Sequence, residues 1–124
     1  MHFQSKSAPC LLLSLLILSC AARADGGPAG DPKAGKAIYE NSCLLCHGPT
    51  GRGDGPAAIA FNPRPMNFQD ASKMSKVTEE TRVKAVTEGG AAVGVSAVMP
   101  SFKDTLSAQQ IRDVVAYVRA TFTH

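Results

Sequence analysis

The clearest hydrophobic pattern lies near the C-terminus. Ile111, Val114, Val115, Val118 and Phe122 recur at the i, i+3, i+4, i+7 and i+11 spacing of a helix that buries one face. Arg112, Asp113 and Arg119 fall off that stripe. Ser107 opens the segment and Gln110 stands three positions on, which fits a capping box. A second helix is predicted from Asp31 to about Ser42, with Asp31 as N-cap and Pro32 at the first helical position. A third is predicted over residues 78–88, with Glu79 and Glu80 in the first turn and Gly89-Gly90 as its stop.

Between these segments the pattern breaks. Residues 48–56 hold four glycines and two prolines and cannot be regular structure. Residues 57–61 have room for one helical turn. Residues 62–68 contain Pro63 and Pro65 and read as extended chain. Residues 91–102 read as a loop of small residues ending in Met99-Pro100-Ser101-Phe102. No stretch alternates with period 2 and no repeat is visible, so the domain is predicted to be all-α. Loops this long in a small domain usually wrap something.

Residues 1–24 read as an export signal. Lys6 supplies the positive start, residues 11–18 form a short apolar run, and Ala22-Arg23-Ala24 is a small-x-small cleavage site. The alternative is lipid attachment at Cys20, after Ile17-Leu18-Ser19. Cleavage after Ala24 leaves residues 25–124 as one domain, exported to the periplasm or beyond. No remaining run reaches the ~20 apolar residues of a membrane-spanning helix. Removing Lys6 and Arg23 from thirteen basic residues leaves eleven against ten acids, so the mature charge is +1. That charge excludes a nucleic-acid binder. The basic residues are interleaved with acids, so long-range steering of a partner is expected to be slight. The mixed run over residues 73–84, with Lys73, Lys76, Arg82 and Lys84 among Glu79 and Glu80, reads as a solvated face. Aromatics make up only 6% of the chain, with no Trp. The aliphatic core is therefore modest, and an apolar cofactor could supply the missing volume.

Cleavage also removes Cys10 and Cys20, leaving Cys43 and Cys46. Together they form Cys43-Leu44-Leu45-Cys46-His47, the C-x-x-C-H signature of covalent haem attachment. Two thiols three residues apart can each add to one vinyl group of a haem, and the adjacent imidazole then lies under the iron. A structural zinc site would need four ligands, and a thioredoxin-like pair a βαβ setting. The chain offers neither. Gly51-x-Gly53-x-Gly55 follows no strand and lacks phosphate-loop spacing. For a second axial ligand the mature chain offers Met66, Met74, Met99 and the terminal His124. Met99 is the choice, because it sits in a loop just before the last helix. Met66 and Met74 read as packing or surface.

Over residues 31–122 the chain resembles the class I cytochrome c family, in its bacterial branch. The resemblance rests on Gly35 and Tyr39 ahead of the motif, Cys43 to His47 followed by Gly48, Met99 in its loop, and Val114-Val115-Ala116-Tyr117-Val118 in the last helix. It implies crossed N- and C-terminal helices, Gly35 and Tyr39 against Val114 and Tyr117, and a middle helix and long loops around one covalent haem c with its iron. It further implies that His47 and Met99 ligate the iron and that a proline carbonyl holds the free ring nitrogen of His47, Pro63 first and Pro65 second. Arg64 and Asn67 are the propionate candidates, with a solvent-exposed Arg64 the competing reading. The implied function is a monomeric electron carrier, not an enzyme, that meets donor and acceptor proteins around the Cys43 and Cys46 thioethers. The alternatives are a haem sensor or gas binder with a displaceable sixth ligand, and a cytochrome subunit of an oxidase or dehydrogenase complex.

Overall fold

The computed structural model describes residues 29–124. The export signal and Cys20 lie outside the described residues. The helices are α1 (Pro32–Ser42), α2 (Leu44–His47), α3 (Ala71–Met74), α4 (Glu79–Glu88) and α5 (Ala108–Phe122), with 3₁₀ turns at Ala58–Ala60 and Gly90–Val93. No strand occurs among the described residues. No described helix is long and apolar enough to cross a membrane.

The caps predicted at Asp31 and Ser107 form, and Thr78, expected inside its helix, is a third. The Asp31 carboxylate accepts from the Lys33 amide ahead of Pro32. Thr78 caps α4 through the Thr81 amide, and Ser107 and Gln110 close a reciprocal box on α5. Each satisfies amides that a helix start leaves orphaned. Sequence reading missed α2, α3 and the turn at Gly90–Val93, all too short to show a period.

The organising contact is α1 against α5. Gly35 makes it possible, because a Cβ there would meet the Asp113 carbonyl and come within 2.8 Å of Tyr117 Cβ. Tyr39 packs beside this crossing, its ring 5.3 Å from those of Tyr117 and Phe122. Tyr39, Val114 and Phe122 form the buried centre. Along α5, Ile111, Val114, Val115 and Phe122 are buried as the stripe predicts. Asp113 departs from the prediction: it is buried too. The reason is local satisfaction. Its carboxylate accepts from the Asp31 amide and the Gln109 side chain, both at 2.8 Å, and so ties the start of α1 to α5.

Candidate functional site

The C-x-x-C-H motif forms a turn of its own. Cys43 ends α1, donating its amide to the Tyr39 carbonyl at 2.9 Å, and starts α2 by accepting from the His47 amide at 2.9 Å. Cys43, Cys46 and His47 therefore stand at i, i+3 and i+4, the spacing that puts side chains on one helix face. Both cysteines are free and partly buried. Burial, reinforced by the neighbouring Cys46, pushes the Cys43 thiol up to about 11.

A four-residue helix leaves its carbonyls orphaned. The glycine-rich segment satisfies them. Gly48 donates to Leu44, Gly53 to His47, Gly55 to Cys46 and Ala57 to Leu45, at 2.9–3.1 Å. Tyr39 adds its hydroxyl to the Gly48 carbonyl at 2.7 Å. The glycine run is thus the cap that holds the motif, which explains its composition without a phosphate.

The His47 ring stacks on Phe68 and turns Nδ1 toward the Met66 carbonyl, 3.4 Å away. This corrects the expectation of a Pro63 or Pro65 carbonyl at that nitrogen. The Phe68 amide donates to the Gly51 carbonyl at 2.8 Å, and the Gln69 side chain to Thr50 at 2.7 Å. These bonds pin the extended segment so that residue 66 meets the ring. Pro63 instead lines the outer cleft, with Arg64 and Asn67. Burial lowers the His47 pKa, opposed by the Met66 carbonyl contact; the burial favours the neutral imidazole, the form that binds a metal.

Met99 is positioned from the other side of the sequence. The last carbonyls of α4 are taken by the loop that follows Met99. Phe102 donates to Val86 at 3.0 Å, Lys103 to Thr87 at 3.2 Å, and Ser101 Oγ to Thr87 at 2.6 Å. The Met99 carbonyl accepts from Gly90 at 3.0 Å. Gly89 has φ +90°, and a Cβ there would lie 3.0 Å from the Met99 carbonyl, so only glycine lets the loop close this tightly.

Two connected cavities receive these residues. A deep one of about 200 Å³ and a wide cleft of about 950 Å³ share Cys43, His47, Met66, Val86, Val95 and Met99 as wall. The cleft reaches the upper end of the ~300–1,000 Å³ range of cofactor sites. Cys46 faces the cleft. Met74, read from sequence as packing or surface, is buried and lines the deep cavity. Phe68 and Arg82 line it as well, and neither was picked out from the sequence. The face over residues 73–84 is therefore not uniformly solvated: the Arg82 side chain is only 14% exposed. Phe68 had no periodic signal, and Arg82 was masked by its charged neighbours. No group of three His, Cys, Asp or Glu suited to a metal ion occurs among the described residues.

The donor set fits a covalent haem. Two free thiols and an imidazole share one turn, a thioether lines the wide cleft with all three, and a buried arginine nitrogen lacks a partner.

This fold and site define the class of c-type cytochromes with an all-α cytochrome c fold. The chain belongs to the family described as cytochrome c oxidase, cbb3-type, subunit III, whose model matches residues 30–118. Among solved structures it is similar to the c-type cytochrome KustC0563, with a TM-score of 0.56 and 24% identity over 73% of this chain and 98% of that one. It is also similar to cytochrome c6 from the diatom Phaeodactylum tricornutum, with a TM-score of 0.47 and 28% identity over 73% and 93% of the two chains. No curated protein matches. Membership carries with it haem-based electron transfer, a covalently bound haem c with its iron, and redox partners.

Proposed function

We propose that this chain is a one-electron carrier in which Cys43 and Cys46 hold a single haem c and His47 and Met99 are its axial ligands. When bound, the haem supplies a reversible ferric–ferrous couple. The chain's own residues attach it, orient it and keep water out. The observation that carries this reading is that Met99 lines the same cavity as Cys43 and His47 while its loop is clamped to the end of α4. Met66 lines that cavity too, but its carbonyl is turned to His47 Nδ1, which favours Met99 over Met66 as the thioether ligand. Thioether sulfur opposite imidazole raises the potential relative to two imidazoles. Met66 carbonyl and Phe68 hold the imidazole in one orientation, as outer partners of metal-bound histidines do. The direct test is a redox titration of purified holoprotein followed by absorbance. A single one-electron transition with a methionine–iron charge-transfer band in the ferric form is expected. A ferrous form that binds carbon monoxide readily and lacks that band would point instead to a gas-binding site.

The family description names a subunit, so a place in a larger oxidase or dehydrogenase complex is the second reading. Co-purification under mild detergent distinguishes a subunit from a free monomeric carrier. The export signal belongs to the same proposal. Intact mass should correspond to residues 25–124 plus one haem, and a mass beginning at Cys20 with acyl chains would make the protein membrane-tethered.

A further inference from the structure

The deep cavity is walled mainly by apolar side chains, among them Met74, Val77, Val86 and Val114, yet Arg82 also lines it. A guanidinium is charged at every accessible pH, and a buried charge is tolerated only when paired. The pairing of Arg82 is incomplete. Nη2 donates to the Met74 carbonyl at 3.2 Å, which contributes no charge. Nη1 lies 3.6 Å from Glu79 Oε2, beyond hydrogen-bond reach. That same oxygen is 3.7 Å from Arg119 Nη1, so two cations share one carboxylate whose side chain is 48% exposed. Nε is buried and has no partner. The unpartnered Nε and the shared, half-exposed carboxylate leave the guanidinium short of an anion. A haem brings two propionate carboxylates.

We propose that Arg82 anchors one propionate of the haem within the deep cavity, with Nε–H as the donor. The assignment rests on the haem reading above. It moves the inner propionate contact away from Arg64 and Asn67, which line the outer cleft. A charge-assisted bond of this kind keeps the carboxylate ionised and fixes that edge of the cofactor.

The charged groups around Arg82 are Glu79 on its own helix and, through Glu79, Arg119 of α5, while α3 presents only the Met74 carbonyl. The experiment is the midpoint potential of holoprotein as a function of pH for wild type, Arg82→Leu, Arg82→Lys and Arg64→Leu. Glu79→Gln in the wild-type and Arg82→Leu backgrounds separates the titration of Glu79 from that of the propionate. Removing a cation from a buried carboxylate raises its pKa by about 1–3 units. The bend in the potential–pH curve should move up by that amount in Arg82→Leu, less in Arg82→Lys, and little in Arg64→Leu. A curve for Arg82→Leu that superimposes on wild type, or a bend that moves only in Arg64→Leu, overturns the assignment. If Arg82→Leu fails to fold, the ferrous wild-type protein still decides. Cross-relaxation between the Arg82 Nε proton and propionate methylene protons is expected, and its absence overturns the proposal. Wild-type protein without covalent haem by mass would remove the parent reading, whereas haem-loaded protein with no Arg82 effect removes this assignment alone.

Discussion

The imidazole of His47 and the ring of Phe68 lie face to face, with centroids 4.5 Å apart and planes 16° from parallel. Phe68 in turn stands 6.3 Å from Phe122 at the end of α5. The ring next to the attachment motif is therefore braced, through one aromatic, by the crossing of the terminal helices. Phe68→Leu keeps much of the volume and loses the stack. Aromatic pairs contribute about 0.5–1.5 kcal/mol beyond area burial. Holoprotein carrying Phe68→Leu should lose stability on that scale in guanidinium unfolding, and an unchanged midpoint would show that the brace carries no energy.

Attachment should depend on both thiols. Replacing Cys43 and Cys46 with Ala should abolish haem staining on a denaturing gel, because no other cysteine occurs among the described residues. Persistent stain would place the attachment elsewhere.

The three methionines should separate by behaviour. Met99→Ala should lose the ferric charge-transfer band, lower the potential and admit small ligands to the iron. Met74→Ala should keep the band and cost roughly 2–5 kcal/mol of stability, the range for truncating a buried methionine. Met66→Ala should keep the band, because its carbonyl rather than its sulfur is the group set against His47. Absorbance near the band and denaturant midpoints measure both effects.

Tyr39 should set an alkaline limit. Burial raises its hydroxyl pKa above the ordinary 10.0, and the phenol donates to the Gly48 carbonyl. The unfolded chain releases this proton first, so its contribution is full below pH 10.0 and falls as pH rises beyond it. Tyr39→Phe should be less stable at neutral pH by about 0.5–1.5 kcal/mol, the net worth of one hydrogen bond, because the Gly48 carbonyl keeps the Gly51 amide as a partner at 3.2 Å. Its stability should decline less steeply above pH 10.0. Urea unfolding of both proteins across that range tests the slope.

Docking should respond to salt more than the net charge suggests. The wall of the wide cleft carries Arg52, Arg64 and Lys73 and no acidic residue. Lys73 is paired with Asp70 at 3.5 Å, so Arg52 and Arg64 carry the positive excess at this rim. Stopped-flow electron transfer to a partner with an acidic surface should slow as ionic strength rises, since exposed charges are screened within ~10 Å at 0.1 M salt. A flat series would restore the weak steering expected from a mature charge of +1.

What the sequence by itself determined is what depends on neighbours a few residues apart. The caps at Asp31 and Ser107, the buried stripe of α5 and the i, i+3, i+4 grouping of Cys43, Cys46 and His47 all follow from helical geometry and local hydrogen bonding. Gly35 and Tyr39 were legible only through family resemblance, and the crossing then supplied the reason, a close approach to the Asp113 backbone. Tertiary structure alone decided the rest. The Met66 carbonyl, not that of Pro63, meets His47 because the Phe68 amide bonds to Gly51. Asp113 is buried because the start of α1 brings an amide to it across the crossing. Arg82 enters the cavity from a segment whose composition reads as solvated. These outcomes turn on which groups meet through space after the chain has folded, and neither hydrophobic periodicity nor residue spacing encodes that distance.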